Sequence, residues 1–268
     1  MIPDYTVCLA IDENTLKQLA CSWLTWRKFH PELFERPWII MYDAESVDYQ
    51  RAITQAYTMG VPHAACIGWP IAEYSTEKGR VLPEFETQRE KMVSAHLYVA
   101  QWVRTTYLLK IDTDAICVDD RPWPMAEWFK DMPAVIASPW GYCKAKGGGG
   151  TVDEWAEKLE AWGDAAFPDT HRLNLANLIK PGSNKIIVPR FCSWLAFYRT
   201  AFYKDVADKC EQYCGNCKLP VPSEDTTRWY AQVRTGARLM RVNMKRHGWT
   251  NISRYSDLQA KVNELCQG

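Results

Sequence analysis

TYLLKIDTDAICVDD, Thr106–Asp120, is the stretch from which the fold is read. Tyr107, Leu108 and Leu109 are apolar in succession, which suits a strand buried on both faces of a sheet. Lys110 interrupts the run and can reach out at the strand end. Asp112, Thr113 and Asp114 follow. Two carboxylates one residue apart at the end of a buried strand are costly unless something positive meets them. Alternation along an extended chain lets both face one side. In an open α/β sheet the crevice lies beyond the carboxyl ends of the strands. A hard divalent cation, and phosphates held by it, would sit there. A solvated acidic turn is the bland alternative.

Upstream, YTVCLAI (Tyr5–Ile11) predicts a first strand closed by Asp12, Glu13 and Asn14, with Asp12 or Asn14 as helix cap. Leu16, Leu19, Ala20, Trp23, Leu24 and Trp26 then recur at helical spacing, and His30-Pro31 stops the helix. WIIMY (Trp38–Tyr42) predicts a second buried strand ending at Asp43. Strand, helix and strand within about forty residues make a βαβ unit with a right-handed crossover. A second helix is expected over 46–59 and a short strand within 61–69. No GxGxxG or GxxxxGK[ST] follows the first strand, which argues against a dinucleotide fold and a P-loop. Residues 73–84 read as a loop and 85–105 as a helix. Arg89 and Lys91 sit near the start of that helix, as diphosphate contacts or as solvated charges.

Downstream, 121–132 is rich in Trp and Pro and holds one short helix, and 134–138 is another strand. KAKGGGG (Lys144–Gly150) reads as a mobile loop, either a lid or a plain surface loop. A helix is expected over 151–162 and a further helix or loop over 167–180. Ile186–Val188 and FCSWLAFYR (Phe191–Arg199) are apolar, the second running into a helix toward Cys210. Ser223 precedes Glu224 and Asp225 as a natural N-cap, and acids suit the positive end of a helix. A strand over 238–244 enters a basic turn with Lys245, Arg246 and His247, and 258–266 closes the chain as a helix.

The totals bound the function. The chain has 268 residues, 32 basic and 32 acidic side chains and a formal net charge of +0, so nothing advertises a nucleic-acid surface. That length fits one large α/β domain or two small ones. The first residues carry no basic n-region and no long apolar run, and no membrane span is expected. Ten cysteines without a secretory signal suggest reduced thiols and a cytoplasmic location. Thirteen Trp residues are compatible with stacking on sugar rings. Cys210, Cys214 and Cys217 have C-x3-C-x2-C spacing, but a structural zinc needs a fourth ligand, for which only Cys192 or His171 offers itself. Three unrelated thiols is the leading reading.

An acid-x-acid strand end occurs in several chemistries. A calcium loop wants Gly at the sixth position and Glu at the twelfth; counted from Asp112 these are Cys117 and Trp123. A phosphatase of the haloacid-dehalogenase type would use Asp112 as nucleophile, Asp114 as acid/base and Asp225 as a magnesium ligand. That motif usually opens its domain, and here 111 residues precede it.

The ordered set resembles the GT-A plan of nucleotide-sugar glycosyltransferases. Its parts are the βαβ start, the helix into a strand ending Asp112-Thr113-Asp114, the LAFYR segment, the acidic pair Glu224-Asp225 and the late His247. One position departs: the loop before LAFYR usually carries glycine, and Cys192, Ser193 and Trp194 stand here. The resemblance implies a single GT-A (Rossmann-like) domain, with a mixed, mostly parallel α/β sheet flanked by helices. Residues 1–120 would form the nucleotide-sugar half and 121–268 the acceptor half. It implies Mn²⁺ or Mg²⁺ held by Asp112, Asp114 and His247. Donor contacts would come from Ala10, Ile11, Asp12, Asp43, Arg89, Lys110, Asp112, Thr113, Lys245 and Arg246. Asp225 would be the base that takes a proton from an acceptor hydroxyl, with Glu224 as its substitute and inversion as the favoured outcome. Glycan, lipid, protein and modified nucleic-acid base all remain open as acceptors. A catalytically inactive carbohydrate-binding domain is the non-enzymatic alternative.

Overall fold

A computed structural model describes residues 4–68, 99–144, 152–172, 175, 185–215, 219–221 and 224–267. The expected loop over 73–84, most of the expected helix over 85–105 with Arg89 and Lys91, the glycine run, Cys217 and Ser223 lie outside the described residues.

The first half folds as the apolar runs require. β1 (Tyr5–Ile11) is buried along its whole length. It is followed by α1 (Glu13–Phe29), β2 (Trp38–Tyr42), α2 (Tyr49–Met59), β3 (Ala65–Gly68) and β4 (Tyr107–Ile111). Asp12 caps α1: its carboxylate accepts from the amides of Asn14 and Thr15, and the Thr15 hydroxyl answers the Asp12 amide. Beyond β4 come β5 (Ala115–Cys117), α3 (Met125–Trp128), β6 (Val135–Lys144), α4 (Val152–Ala166), β7 (Lys185–Arg199) and α5 (Thr200–Cys214). The chain closes with α6 (Glu224–Thr235), β8 (Leu239–Arg241), a 3₁₀ turn (Met244–His247), β9 (Trp249–Asn251) and α7 (Tyr255–Gln267). The two apolar stretches either side of Pro189 belong to one long strand, β7.

Among the described residues the main sheet has seven strands in the order β3-β2-β1-β4-β7-β6-β8. Strands β3, β2, β1 and β4 run parallel, β7 is antiparallel to both neighbours, and β8 is parallel to β6. This is a mixed, mostly parallel sheet flanked by helices, as expected, and the residues before Asp112 belong to the same sheet rather than to a separate domain. The phosphatase reading, which needed such a domain, loses its footing here.

Side-chain alternation divides the core. Tyr5, Val7, Leu9 and Ile11 of β1, with Leu195 and Phe197 of β7, join Leu19, Trp26 and Trp38 on one face. Cys8, Ala10, Ala196 and Tyr198 join Leu159, Trp162, Tyr203 and Tyr230 on the other. The period of two in an extended chain is the cause. Among the described residues no helix is long and apolar enough to cross a membrane.

Two elements were not foreseen. β5 and β9 form a small antiparallel ribbon, pairing Ala115 with Asn251 and Cys117 with Trp249. α1 grips this ribbon: Trp26 Nε1 donates to the Ala115 carbonyl at 2.8 Å, and the Cys117 amide donates to Thr25 Oγ1 at 3.1 Å.

Candidate functional site

Parallel alignment brings the carboxyl ends of β1, β2 and β4 to one edge of the sheet. Asp12, Asp43 and Asp112 therefore end adjacent strands there. Ile11 pairs with Tyr42, and the Asp43 amide donates to the Ile11 carbonyl at 2.9 Å. The edge continues through β7, whose Trp194 carbonyl accepts from the Asp112 amide at 2.8 Å. Past β8, the Val242 amide donates to Ala137 at 2.9 Å, which brings Val242 and Asn243 to the same edge.

The acid turn is tight, with the Ala115 amide donating to the Asp112 carbonyl at 3.0 Å. Lys110, 4% exposed, lies in register with Cys8 and Ala196, and its ammonium meets Asp112 Oδ1 at 3.0 Å. That ion pair supplies the positive partner the acids require. Asp112 keeps 38% of its side chain exposed, so one side of the carboxylate faces solvent. Thr113 is buried, and its hydroxyl donates to Gln18 Oε1 at 3.0 Å. Asp114 is half-buried. Burial first, then the Asp112 charge, push its carboxyl above the usual range, and hydrogen bonds from the Ser253 and Asn251 side chains pull it partly back.

The remaining expected residues divide. Ala10 and Ile11 end β1, but their side chains are spent in the two cores. The Asp12 carboxylate is the α1 cap. Asp43 accepts from the Glu45 amide at 3.3 Å and the Ser46 hydroxyl at 3.0 Å, and Ser46 Oγ in turn accepts from the Glu13 amide at 3.3 Å. These acids shape the crevice wall beside β1 and β2. Beside them Tyr42 and the exposed Tyr49 set their rings 6.3 Å apart. The sequence reading did not single out that pair, although two tyrosines flank Asp43.

The structure does not bring His247 to the acids. Its ring packs edge-on against Trp128 at 5.0 Å. The Val118 amide donates to the Gly248 carbonyl at 2.7 Å, so His247 adjoins the far end of the β5–β9 ribbon. The three residues of β5 lie between Asp114 and Val118, four extended steps of roughly 13 Å in all. Lys245 and Arg246 are exposed in the same 3₁₀ turn, and the Arg246 carbonyl accepts from Arg121 at 2.9 Å. Asn251 and Ser253 stand at Asp114 where the imidazole was expected. The polar run Thr250-Asn251-Ile252-Ser253 was the only sequence signal for them.

Glu224, the substitute base, begins α6 and forms an ion pair with Arg228 one turn on. Both are buried, and the guanidinium lies over the Tyr203 ring at 3.9 Å and the Tyr198 ring at 4.8 Å. A carboxylate held this way is a packing element, poorly placed to take a substrate proton. Asp225 follows in the first turn of α6.

Among the described residues no group of three His, Cys, Asp or Glu could hold a metal unaided. The donor chemistry of the acid turn still fits a hard cation, because Mg²⁺-type sites use one or two carboxylates beside substrate phosphates.

No family model and no curated protein matches the sequence. Solved structures do match. Core-mannan synthase A (CmsA/Ktr4) of Aspergillus fumigatus, in its Mn/GDP form, aligns over 93% of this chain and 74% of its own, at 12% identity and a TM-score of 0.58. The galactosyltransferase LgtC, in complex with donor and acceptor sugar analogues, aligns over 97% of this chain and 96% of its own, at 10% identity and a TM-score of 0.55. The mannosyltransferase Ktr4p of S. cerevisiae, in complex with GDP, aligns over 93% and 71%, at 9% identity and a TM-score of 0.59. At such identities the likeness is one of fold.

Proposed function

We propose that this chain, which has the GT-A fold, is a glycosyltransferase that moves a sugar from a nucleoside-diphosphate sugar to an acceptor hydroxyl with the help of Mn²⁺ or Mg²⁺. The observation that carries the reading is the Asp112-Thr113-Asp114 turn. It stands at the open strand-end edge, with Lys110 against its first acid at 3.0 Å. The neighbours with this fold that hold Mn/GDP or GDP support it.

In this reading Asp112 and Asp114 would hold the cation, which would supply positive charge beside the diphosphate. Lys110 pairs with Asp112 and orients its carboxylate. Thr113 fixes the turn between the acids. The ends of β1 and β2, from Ala10 to Asp12 and at Asp43, wall the nucleoside pocket. Residues 1–120 thus serve the donor and 121–268 the acceptor. Asp225, at the positive end of α6, takes the proton of the acceptor hydroxyl. The acceptor oxygen then bonds to the anomeric carbon as the bond from that carbon to the phosphate oxygen breaks. One base on one face gives inversion. His247 and Glu224 have no part in this set.

A panel of sugar nucleotides with Mn²⁺, headed by GDP-linked sugars, should release nucleoside diphosphate from one donor and stop on chelation. Asp114→Ala should abolish metal-dependent donor binding. Asp225→Asn should keep donor affinity and lose transfer. Metal-dependent donor binding that is unchanged in Asp114→Ala would overturn the role of the turn.

A further inference from the structure

Gln18 projects from the first half of α1 toward the acid turn and is half-buried. Its carboxamide makes two hydrogen bonds to separate parts of the chain. Nε2 donates to the Ser253 carbonyl at 3.2 Å, and Oε1 accepts from the Thr113 hydroxyl at 3.0 Å. The orientation of the amide is chemically fixed. A carbonyl only accepts, so the nitrogen must face Ser253 and the oxygen Thr113.

Those two partners flank Asp114. Thr113 precedes it in the chain. On the other side the Ile252 amide donates to the Asp114 carbonyl at 2.9 Å, and Asn251 pairs across the ribbon with Ala115. The Ser253 and Asn251 side chains donate to the Asp114 carboxylate. A closed ring results: acid turn, Gln18, C-terminal segment, acid turn. The rest of α1 holds the same pieces. Thr25 and Trp26 bind β5, Lys28 Nζ donates to the Leu265 carbonyl of α7 at 2.6 Å, and Cys21 Sγ lies 3.8 Å from the Tyr255 hydroxyl.

We propose that Gln18 is a positioning residue for cation binding: by tying Thr113 to Ser253 it sets where the Asp114 carboxylate stands relative to Asp112. The inference rests on the reading of Asp112 and Asp114 as the cation's ligands, and it adds a residue outside that set. Without the amide, the buried Thr113 hydroxyl loses its acceptor and the C-terminal segment loses its tether to α1. The two acids are then free to drift apart, and a cation shared between them feels the drift directly. The helix itself has no need of Gln18, since its capping box and its apolar face are elsewhere.

The test compares the wild type with Gln18→Met, which keeps length and loses both hydrogen bonds, and with Thr113→Val, which removes one of them from the other end. Free Mn²⁺ is titrated by electron paramagnetic resonance in the presence of saturating GDP or UDP, and thermal midpoints are read in chelator. Outer-shell partners of metal ligands typically carry about 10–100-fold in affinity. Gln18→Met should weaken Mn²⁺ binding by that order, while its midpoint in chelator falls by less than about 5 °C. The double variant Gln18→Met/Thr113→Val should bind Mn²⁺ about as weakly as the worse single variant, because both cut one link. Mn²⁺ affinity within twofold of wild type in Gln18→Met, or losses that add in the double variant, would overturn the inference while leaving the function reading intact. Wild-type protein that binds Mn²⁺ no better than Asp114→Ala would overturn both.

Discussion

The buried pair Glu224–Arg228 offers the sharpest test of how residues near the start of α6 divide between structure and chemistry. Glu224 is 4% exposed and Arg228 is 0% exposed, with the guanidinium against two tyrosine rings. Removing one member of a buried ion pair strands the other, which costs about 3–5 kcal/mol. Arg228→Met also forfeits the desolvated cation–π contact, itself about 2 kcal/mol. The methionine's own burial offsets part of that, so about 4 kcal/mol is expected for the single change. At roughly 2–4 °C per kcal/mol for a chain of this size class, the melting midpoint should fall by about 10 °C. Glu224→Gln should cost somewhat less, because the amide keeps the shape and one acceptor oxygen.

The double variant Glu224→Leu/Arg228→Met removes both charges and fills the space with apolar atoms, so it should recover most of the loss. Urea unfolding of wild type, Arg228→Met, Glu224→Leu and the double variant gives the cycle directly, with Glu224→Gln measured beside them. Losses that simply add would mean the two groups do not stabilise one another, and the structural account of Glu224 would fail. The same proteins report on chemistry. Glu224→Gln, assayed well below its midpoint, should transfer sugar at close to the wild-type rate per folded molecule. A variant as stable as wild type but unable to transfer would make Glu224 the base and displace Asp225.

Two further outcomes follow from named contacts. Burial and the Asp112 charge raise the Asp114 carboxyl above its ordinary 3.8, so the folded state disfavours its ionised form. Below 3.8 both folded and unfolded chains hold that proton and nothing is lost; above the raised folded value the penalty is complete. Asp114→Asn should therefore melt higher than wild type at neutral pH without metal, with the gap closing as the pH is lowered through the acid range. A gap that is absent at neutral pH would refute the burial argument. Gly163 lies in α4, where an added Cβ would run into the Tyr230 ring. Gly163→Ala should destabilise by up to about 2 kcal/mol, overpacking of about 1–3 kcal/mol being offset by a helix-propensity gain of about 1 kcal/mol. A more stable variant in urea would show that Tyr230 moves aside freely.

Long apolar runs made the parallel half of the sheet legible. β1, β2 and β4 are continuous enough that periodicity alone sets their bounds, and Asp12 and Asp48 cap α1 and α2 with ordinary side-chain chemistry. The β5–β9 ribbon was not legible, because three-residue strands fall below any periodic window and their partners lie more than a hundred residues apart. That ribbon governs the C-terminal side of the site. The strand expected over 238–244 ends at Arg241, and Asn243 starts a 3₁₀ turn by accepting from the Lys245 amide. Gly248, at φ +77, then reverses the chain where a side chain would strike Asp119. His247 is thereby carried to Trp128. The i,i+4 spacing of Glu224 and Arg228 was visible in the sequence; their common burial, which turns the pair into a core element, was not.

The acids at the strand ends show why position alone does not define a site. Asp12, Asp43 and Asp112 end three parallel strands of one sheet, yet their partners differ in kind. Asp12 accepts from two backbone amides that open a helix, and Asp43 closes the turn that follows β2. Those bonds help to hold a helix end and a turn in place. Asp112 and Asp114 face the side chains of Lys110, Asn251 and Ser253, with the Asp114 backbone amide beside them. A side-chain partner can rotate away when a cation or a phosphate offers a stronger bond, and the backbone around it stays intact. At the acid turn, charge is thus held largely by exchangeable side-chain partners. That property, more than the acid-x-acid spelling, is why the acid turn is the one proposed to take a metal and a diphosphate.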